Sequence, residues 1–202
     1  MTNPNLFFST PVWATKVKDY STVNEKIYSY IKNLENQDKQ GVIKSNVKGW
    51  HSKNFSLKDE TPKEFINLIS PNINQVFRDM DWDLDNQITK ITNMWTIINR
   101  KGAANDRHHH GNSAISAAYY VKAPENCGNI VFYDPRPAPI YFHPNAKSSN
   151  SLNCQVNAIT PVEGLLVLFP SYLDHSVGAN NSNEERVVIS FNISLIPKNH
   201  IS

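Results

Sequence analysis

The sequence predicts a mainly β protein, a cupin-like jelly roll (double-stranded β-helix) with two N-terminal helices packed outside the barrel. Three observations predict it. From about residue 88 onwards, short β-rich runs alternate with Asn, Gly and Pro turns. Before that point, two stretches carry apolar residues at helical spacing. The length of 202 residues suits one domain with a sizeable core. Many short strands favour a sandwich or barrel over alternating βαβ units.

The N-terminal part, residues 1–87, is predicted to hold an opening strand and two helices. Apolar residues at helical spacing place the first helix over 20–37, with Ser21 as a plausible N-cap. The second helix is predicted to begin with Thr61 as its cap, followed by a first-turn proline and a capping-box glutamate. Pro71 is expected to kink or split this helix, because proline removes a backbone donor.

The jelly-roll core is predicted over residues 88–198, which complete a single domain of residues 1–202. No linker or internal repeat suggests a second domain. The predicted strands are short and are separated by turn residues. They cover residues 88–99, 114–121, 129–133, 140–142, 155–159, 165–169 and 187–196.

Composition and charge exclude several classes of protein. The net charge of +2 comes from scattered basic residues, so no nucleic-acid partner is expected. No secretory signal and no membrane-spanning run is predicted. Cys127 and Cys154 form no zinc-type pair and are predicted to be free thiols in a reducing, cytoplasmic compartment. The sequence leaves a monomer and a homodimer equally open.

A histidine-rich stretch at residues 107–113 precedes a long apolar run. If the stretch is extended, His108 and His110 point to one face and His109 to the other. Two imidazoles on one face can hold a metal ion that needs one or two further ligands. His175 follows a buried-strand pattern and a proline, just past a strand end, where ligand sites concentrate. An ordinary histidine-rich surface turn is the alternative.

Arg186 opens the last predicted strand and shares one strand face with Val188, Ser190 and Asn192. A guanidinium that points into an apolar barrel must be paired with an anion. Its planar shape suits a carboxylate, which it can bind through two hydrogen bonds. The functional interpretation is an anchor for an anionic cosubstrate, and the alternative is a side chain that reaches solvent.

These features together resemble the iron(II)- and 2-oxoglutarate-dependent oxygenase superfamily. The resemblance comprises His108-x-His110, the segment from Gly164 to His175, and Arg186 eleven residues later. More narrowly, the chain is similar to a prolyl-hydroxylase-like oxygenase family of marine bacteria and phages, over most of its length and most densely across 95–192. Further matching elements are Phe8-Ser9-Thr10-Pro11-Val12, Gly49-Trp50-His51-Ser52, Trp95 with Asn99, Ser116-Ala117-Ala118-Tyr119-Tyr120, Phe132-Tyr133-Asp134-Pro135-Arg136 and Ile189-Ser190-Phe191-Asn192.

The resemblance implies a double-stranded β-helix, in agreement with the strand pattern, and it also implies a reaction. Fe(II) would be held by His108, His110 and His175, leaving positions for the cosubstrate and O2. The far carboxylate of 2-oxoglutarate would reach Arg186, with Ser190 as a hydroxyl donor and Asn99 as a weaker candidate. Tyr119 and Tyr120 are further weak candidates for contacts inside the barrel. O2 would then convert 2-oxoglutarate to succinate and CO2 while a substrate C–H bond is hydroxylated.

One departure from the superfamily pattern concerns the metal ligands. The usual pattern has His-x-Asp or His-x-Glu where this chain has His108-x-His110. Three neutral ligands leave the iron with its full double positive charge, which a dianionic cosubstrate could offset. If a carboxylate is required instead, Asp134 and Asp106 are the two candidates, and His110 would then support the metal from outside its ligand set or contact the substrate.

Two other functions stay open at this stage. A cupin-like dioxygenase could use the same barrel and a three-histidine site without 2-oxoglutarate. A non-catalytic jelly-roll binding module could keep only a structural metal. Arg186 distinguishes the first of these from the oxygenase, because only the oxygenase needs it for cosubstrate binding. The substrate, whether peptide or small molecule, is not readable from sequence.

Overall fold

The computed structural model describes residues 3–137 and 144–198, and these contain two helices and eleven strands. The predicted strand at 140–142 lies outside the described residues. In chain order the elements are β1 (Trp13–Lys16), α1 (Tyr20–Gln37), β2 (Asn46–Val47), β3 (Trp50–His51), α2 (Glu60–Asp79), β4 (Gln87–Asn99), β5 (Ala104–His108), β6 (Ile115–Lys122), β7 (Ile130–Tyr133), β8 (Val156–Ile159), β9 (Leu165–Pro170), β10 (His175–Val177) and β11 (Arg186–Pro197).

The strands form two antiparallel sheets. The larger sheet has the order β1-β9-β6-β11-β4-β3, and the smaller one has the order β2-β5-β10-β7-β8. Strands that are distant in sequence therefore lie side by side, as in β1 and β9. The predicted combination of a mainly β chain, two helices and antiparallel sheets is confirmed.

Alternation along β11 separates the core from a cavity. The side chains of Val187, Ile189 and Phe191 are fully buried in a cluster that also contains helix residues. Arg186 and every second residue after it, as far as Asn192, point to the opposite face of the strand and line a cavity of about 730 Å³. Successive side chains of a strand point to opposite faces, so one strand supplies both surfaces.

The two helices cover the face of the larger sheet that points away from the cavity. Phe65 of α2 packs its ring 4.8 Å from the ring of Tyr119 on β6. Asn24 of α1 donates to the carbonyl of Val121 at 3.1 Å and accepts from the Tyr119 hydroxyl at 2.6 Å. Each fully buried large apolar side chain, such as Ile27, contributes about 2 kcal/mol to this packing.

Helix α1 spans the predicted residues 20–37, but its predicted Ser21 cap is wrong, and the predicted start of α2 is wrong by two residues. Helix α1 begins at Tyr20, after Asp19, and not at a Ser21 cap. Helix α2 begins at Glu60, because Asp59 is the last extended residue, so Thr61 lies inside the first turn. The helix continues through Pro71 to its end at Asp79, so the proline does not split it.

The sequence did not predict β5 and β10, and these two strands pair with each other. Strand β5 is polar and β10 has only three residues, so neither shows an apolar alternation. His175 lies past the end of β9 at Pro170, as predicted, and it also begins the further strand β10. His175 and His108 are direct cross-strand partners.

Two composition-based predictions can be compared with the structure. Cys127 and Cys154 are both free thiols, as predicted. Of the helices in the described part of the chain, neither is apolar over enough of its length to cross a membrane.

Candidate metal and cosubstrate site

Three histidines converge on the cavity. The ring centroids of His108 and His175 lie 4.3 Å apart, and that of His110 lies 5.2 Å from each of the other two. One ring nitrogen from each residue lies within 4.8 Å of the others, which is compatible with a shared metal ion. Across residues 3–137 and 144–198, no other group of potential metal ligands meets this criterion.

Backbone carbonyls fix the tautomers of two of these rings. The Nδ1–H of His108 donates to the carbonyl of Asp106 at 2.7 Å, and that of His175 donates to the carbonyl of Leu173 at 2.9 Å. The Nε2 atom of each ring therefore keeps its lone pair. The hydroxyl oxygen of Ser45 lies 3.4 Å from the Nε2 atom of His108. Metal-ligating histidines characteristically donate their other N–H to such a partner.

Burial keeps all three imidazoles neutral. Desolvation is the main cause that lowers the pKa of His175 to about 3 and the pKa of His110 to about 4, and the neighbouring His108 lowers both further. Desolvation also lowers the pKa of His108. Only the neutral ring offers a lone pair to a metal, so the folded chain holds the site in its binding form.

Co(II) affinity is therefore expected to fall by less than about 10-fold between pH 7.5 and pH 6.0, because desolvation lowers the pKa of all three imidazoles. Protons compete with the metal only as the pH approaches these lowered pKa values. Titration followed by Co(II) absorption would check this expectation. A 10-fold or larger loss that begins at pH 6.5 would mean that the imidazoles titrate as they do in unfolded peptides.

The carboxylates named as alternative ligands do not join the histidines. Neither Asp106 nor Asp134 belongs to the potential metal-binding group. The side chain of Asp134 contacts Arg136 at 2.8 Å. A third carboxylate, Asp174, pairs with Arg107 at 2.7 Å and with the outward-facing His109 at 2.9 Å.

Arg186 lies deep in the same cavity, at 1% exposure. Its Nη1 donates to the carbonyls of Cys127, of Gly178 at 3.0 Å and of Gly128 at 3.2 Å. Its Nη2 is buried and has no hydrogen-bond partner among the described residues. Burial lowers the pKa of this guanidinium, but its ordinary value is so high that it keeps its charge.

This arrangement leaves a buried cation that needs an anion. No carboxylate in the described part of the chain forms an ion pair with Arg186. An isolated buried charge is costly, and a buried donor without a partner costs about 1–3 kcal/mol more. Three carbonyls fix one side of the guanidinium, and the unpaired nitrogen is the group left to receive a carboxylate oxygen.

Gly128 is expected to be essential to the placement of the Arg186 guanidinium. It has a φ of +88°, and a Cβ there would overlap the carbonyl oxygen of Gly178. Gly128→Ala should lower the free energy of unfolding by about 2–5 kcal/mol and weaken 2-oxoglutarate binding, because two of the carbonyls that hold Arg186 must move. Chemical denaturation and cosubstrate titration would measure the two effects.

Gly102→Ala is the matched control for Gly128→Ala. Gly102 has a φ of +80°, but nothing lies within 4 Å of the Cβ position. Only the backbone strain should appear, about 1–2 kcal/mol, with cosubstrate affinity unchanged. Equal losses of cosubstrate affinity in the two variants would contradict the anchor.

The remaining predicted cosubstrate contacts have different surroundings. Ser190 and Tyr120 line the cavity. Tyr119 does not, because its hydroxyl donates to Asn24 beneath the helices. Asn99 also lines the cavity, and its Nδ2 donates to Asn105 at 3.0 Å, so its buried, unpaired atom is the acceptor Oδ1. An acceptor does not suit an anionic carboxylate.

His51 is a cavity residue that the sequence did not predict. The residue is 8% exposed, and it lines the cavity beside Trp95. The available signal was the Gly49-Trp50-His51-Ser52 element, whose apolar content is too small to indicate burial.

The chain was compared with known families and proteins. A family profile described as "Putative 2OG-Fe(II) oxygenase" matches residues 93–192, which contain all three histidines and Arg186. The chain belongs to the Fe(II)- and 2-oxoglutarate-dependent oxygenase superfamily. No protein of curated function matches the sequence.

Solved structures share the fold at low sequence identity. A Pseudomonas putida prolyl-4-hydroxylase has 11% identity and a TM-score of 0.65, over 92% of this chain and 93% of that one. A viral collagen prolyl hydroxylase from Paramecium Bursaria Chlorella virus-1, in a 2-oxoglutarate complex, has 13% identity and a TM-score of 0.59, over 90% and 94%. HygX from Streptomyces hygroscopicus, with nickel and 2-oxoglutarate bound, has 12% identity and a TM-score of 0.63, over 94% and 84%.

These likenesses show that the two sheets follow the jelly-roll arrangement of this superfamily. The predicted cofactors, Fe(II) and 2-oxoglutarate with O2, are those of the superfamily and are confirmed at that level.

Proposed function

We propose that His108, His110 and His175 hold Fe(II) and that Arg186 binds the far carboxylate of 2-oxoglutarate. The observation that carries the proposal is a buried guanidinium with an unpaired nitrogen in the same cavity as three neutral imidazoles. In this cavity a cupin-like dioxygenase without 2-oxoglutarate would leave Arg186 uncompensated, so the oxygenase is favoured.

The residues present fit both groups. The carbonyls of Asp106 and Leu173 hold the rings of His108 and His175 with a lone pair free, as a divalent iron requires. Arg186 supplies a charged donor, and Ser190 supplies a hydroxyl on the same strand face. When bound, iron and 2-oxoglutarate together supply the activation of O2, with succinate and CO2 as products.

The chain's own part is to position these groups and exclude water. Tyr120 and Val188 are buried cross-strand partners on β6 and β11, and they help to exclude water from the part of the cavity that holds Arg186. In such a low-dielectric site, the attraction between a guanidinium and a carboxylate is much stronger than in water. The twice negative cosubstrate would also offset the charge of an iron that has only neutral protein ligands.

The proposed reaction is hydroxylation of a C–H bond in a peptide or small molecule. Two of the similar structures are named as prolyl hydroxylases, which supports this choice without extending their substrates to this chain. We further propose that residues 1–202 act as one domain, with the sheets closed into a double-stranded β-helix and both helices outside it. The two free thiols fit a reducing compartment such as the cytoplasm.

Anaerobic titration tests the site, and product analysis tests the reaction. Fe(II) and 2-oxoglutarate should give a metal-to-cosubstrate charge-transfer absorption with the wild-type protein. Admitting O2 should then yield succinate, and 18O2 should label a hydroxylated product. A protein that binds Fe(II) but never consumes 2-oxoglutarate would be the cupin-like dioxygenase or a binding module instead.

A further inference from the structure

A second group of polar side chains lines the cavity beside the histidine cluster. His51 and Trp95 stack with ring centroids 5.8 Å apart and planes within 8° of parallel. Trp95 stacks in turn on His110, at 5.6 Å and 18°. Neither His51 nor Trp95 has a part in the iron and cosubstrate site proposed above. Both line the cavity that the substrate must enter.

His51 presents a hydrogen-bond acceptor. Its Nδ1 lies 2.7 Å from the carbonyl of Ser52, and a carbonyl can only accept, so the proton is on Nδ1. The Nε2 atom therefore carries a lone pair. No described residue donates to it, so its partner must come from the contents of the cavity.

Trp95 presents a hydrogen-bond donor. Its Nε1–H is buried and has no partner among the described residues. Indole is a donor only, so a ligand must bring an acceptor to satisfy it. The rings of His51 and His110 both stack on this indole, so much of its ring surface is already in contact.

Two side-chain amides, Asn54 and Asn93, also line the cavity. The only carboxylate among the described lining residues is that of Asp106. Lys44 and Arg107 also line the cavity, but the wall formed by the four side chains of His51, Asn54, Asn93 and Trp95 itself consists of neutral donors and acceptors. Such a wall suits a substrate group that is itself neutral and carries both a donor and an acceptor.

We propose that His51 and Trp95 recognise an amide group of the substrate. The amide carbonyl accepts from Trp95 Nε1–H, and the amide N–H donates to His51 Nε2. An extended peptide offers the N–H and C=O of one residue on the same edge, and a small primary amide offers both in one group. A sugar ring is disfavoured, because the indole on which it would stack is already stacked on His51 and His110. The inference rests on the proposed oxygenase function.

The test uses defined probes with the anaerobic complex of protein, Fe(II) and 2-oxoglutarate. The peptide arm is a panel of N-acetylated, C-amidated tripeptides and the same compounds with one backbone N–H replaced by an ester oxygen. The small-molecule arm is a panel of primary carboxamides and their methyl esters, and methyl glycosides form the non-amide arm. Binding is measured from the change that each probe causes in the charge-transfer band.

The amides of one arm should bind about 10-fold more tightly than their esters. A loss of this size is usual when one hydrogen bond is removed and a buried acceptor is left unpaired. The arm whose amides bind identifies the substrate as a peptide or as a small molecule. His51→Phe keeps the stacked ring but removes the acceptor, so the amide and ester should then bind equally. His51→Gln restores an acceptor and should restore part of the difference.

Matched variants separate the two contacts. Trp95→Phe should weaken the amide and the ester alike, because both lose the donor to their carbonyl. His109→Phe changes another histidine at the cavity and should leave the amide-to-ester ratio as in the wild type. Two results would overturn this inference while the oxygenase function stands. In the first, the band forms and glycosides bind, but no amide does. In the second, the amide-to-ester affinity ratio persists in His51→Phe. If no band forms, the proposed function itself fails.

Discussion

Arg186→Met is expected to abolish the charge-transfer absorption of the Fe(II)–2-oxoglutarate complex while Fe(II) binding persists. Methionine fills much of the same volume but offers no donor to the cosubstrate carboxylate. Removing one partner of a buried charge pair costs about 2–5 kcal/mol, so 2-oxoglutarate affinity should fall by about 30-fold or more. Direct titration of 2-oxoglutarate against the Fe(II)-loaded protein measures this loss.

Arg186→Lys separates charge from geometry in the same experiment. Lysine keeps the positive charge but cannot donate to the carbonyls and to the carboxylate from one planar group. We expect partial recovery of affinity relative to Arg186→Met and not the wild-type value. Circular dichroism and thermal unfolding would check that each variant folds. Wild-type 2-oxoglutarate affinity in folded Arg186→Met would rule out Arg186 as the anchor.

His175→Ala is expected to lose Fe(II) and, with it, all succinate formation. His175 is 4% exposed, and its ring lies closest to that of His108. Changes to the outer partners of metal ligands already cost 10–100-fold in affinity, so the loss of a ligand should cost at least 100-fold. Metal content after anaerobic loading and succinate yield after admission of O2 are the two measurements.

His110→Asp and His109→Ala are informative companions to His175→Ala. His110→Asp restores the carboxylate that the superfamily pattern has at this position, so the variant should keep Fe(II). His109 points away from the cluster toward Asp174, and its removal should leave Fe(II) content unchanged. Equal metal content in wild type and His175→Ala would refute the three-histidine assignment. So would a large loss of metal in His109→Ala.

Much of the fold and part of the site could be predicted because they depend on local patterns. Alternating polarity places Arg186, Val188 and Ser190 on one face of β11, and the structure has all three at the cavity. The spacing of His108 and His110 likewise predicts a common direction, and both rings join the same cluster. Such periodicities follow from the geometry of a single strand and need no knowledge of neighbouring strands.

Other features depend on which strands pair and could not be predicted. The direct pairing of His175 with His108 requires β5 and β10, and neither strand has an apolar pattern. Tyr119 and Tyr120 lie in a strand buried on both faces, so the sequence could not tell which one faces the cavity. The helices cover the face that carries Tyr119 and leave Tyr120 inside.

The sequence by itself indicated a mainly β fold, because the spacing of apolar and turn residues is a local property, and its resemblance to the superfamily implied the candidate iron and cosubstrate residues. Only the tertiary structure decided that His51 and Trp95 form part of the cavity and that three backbone carbonyls hold Arg186 with one nitrogen unpaired. These contacts join residues far apart in the chain, for example Cys127 and Arg186. Their formation depends on strand order and register, which the packing of the whole chain sets.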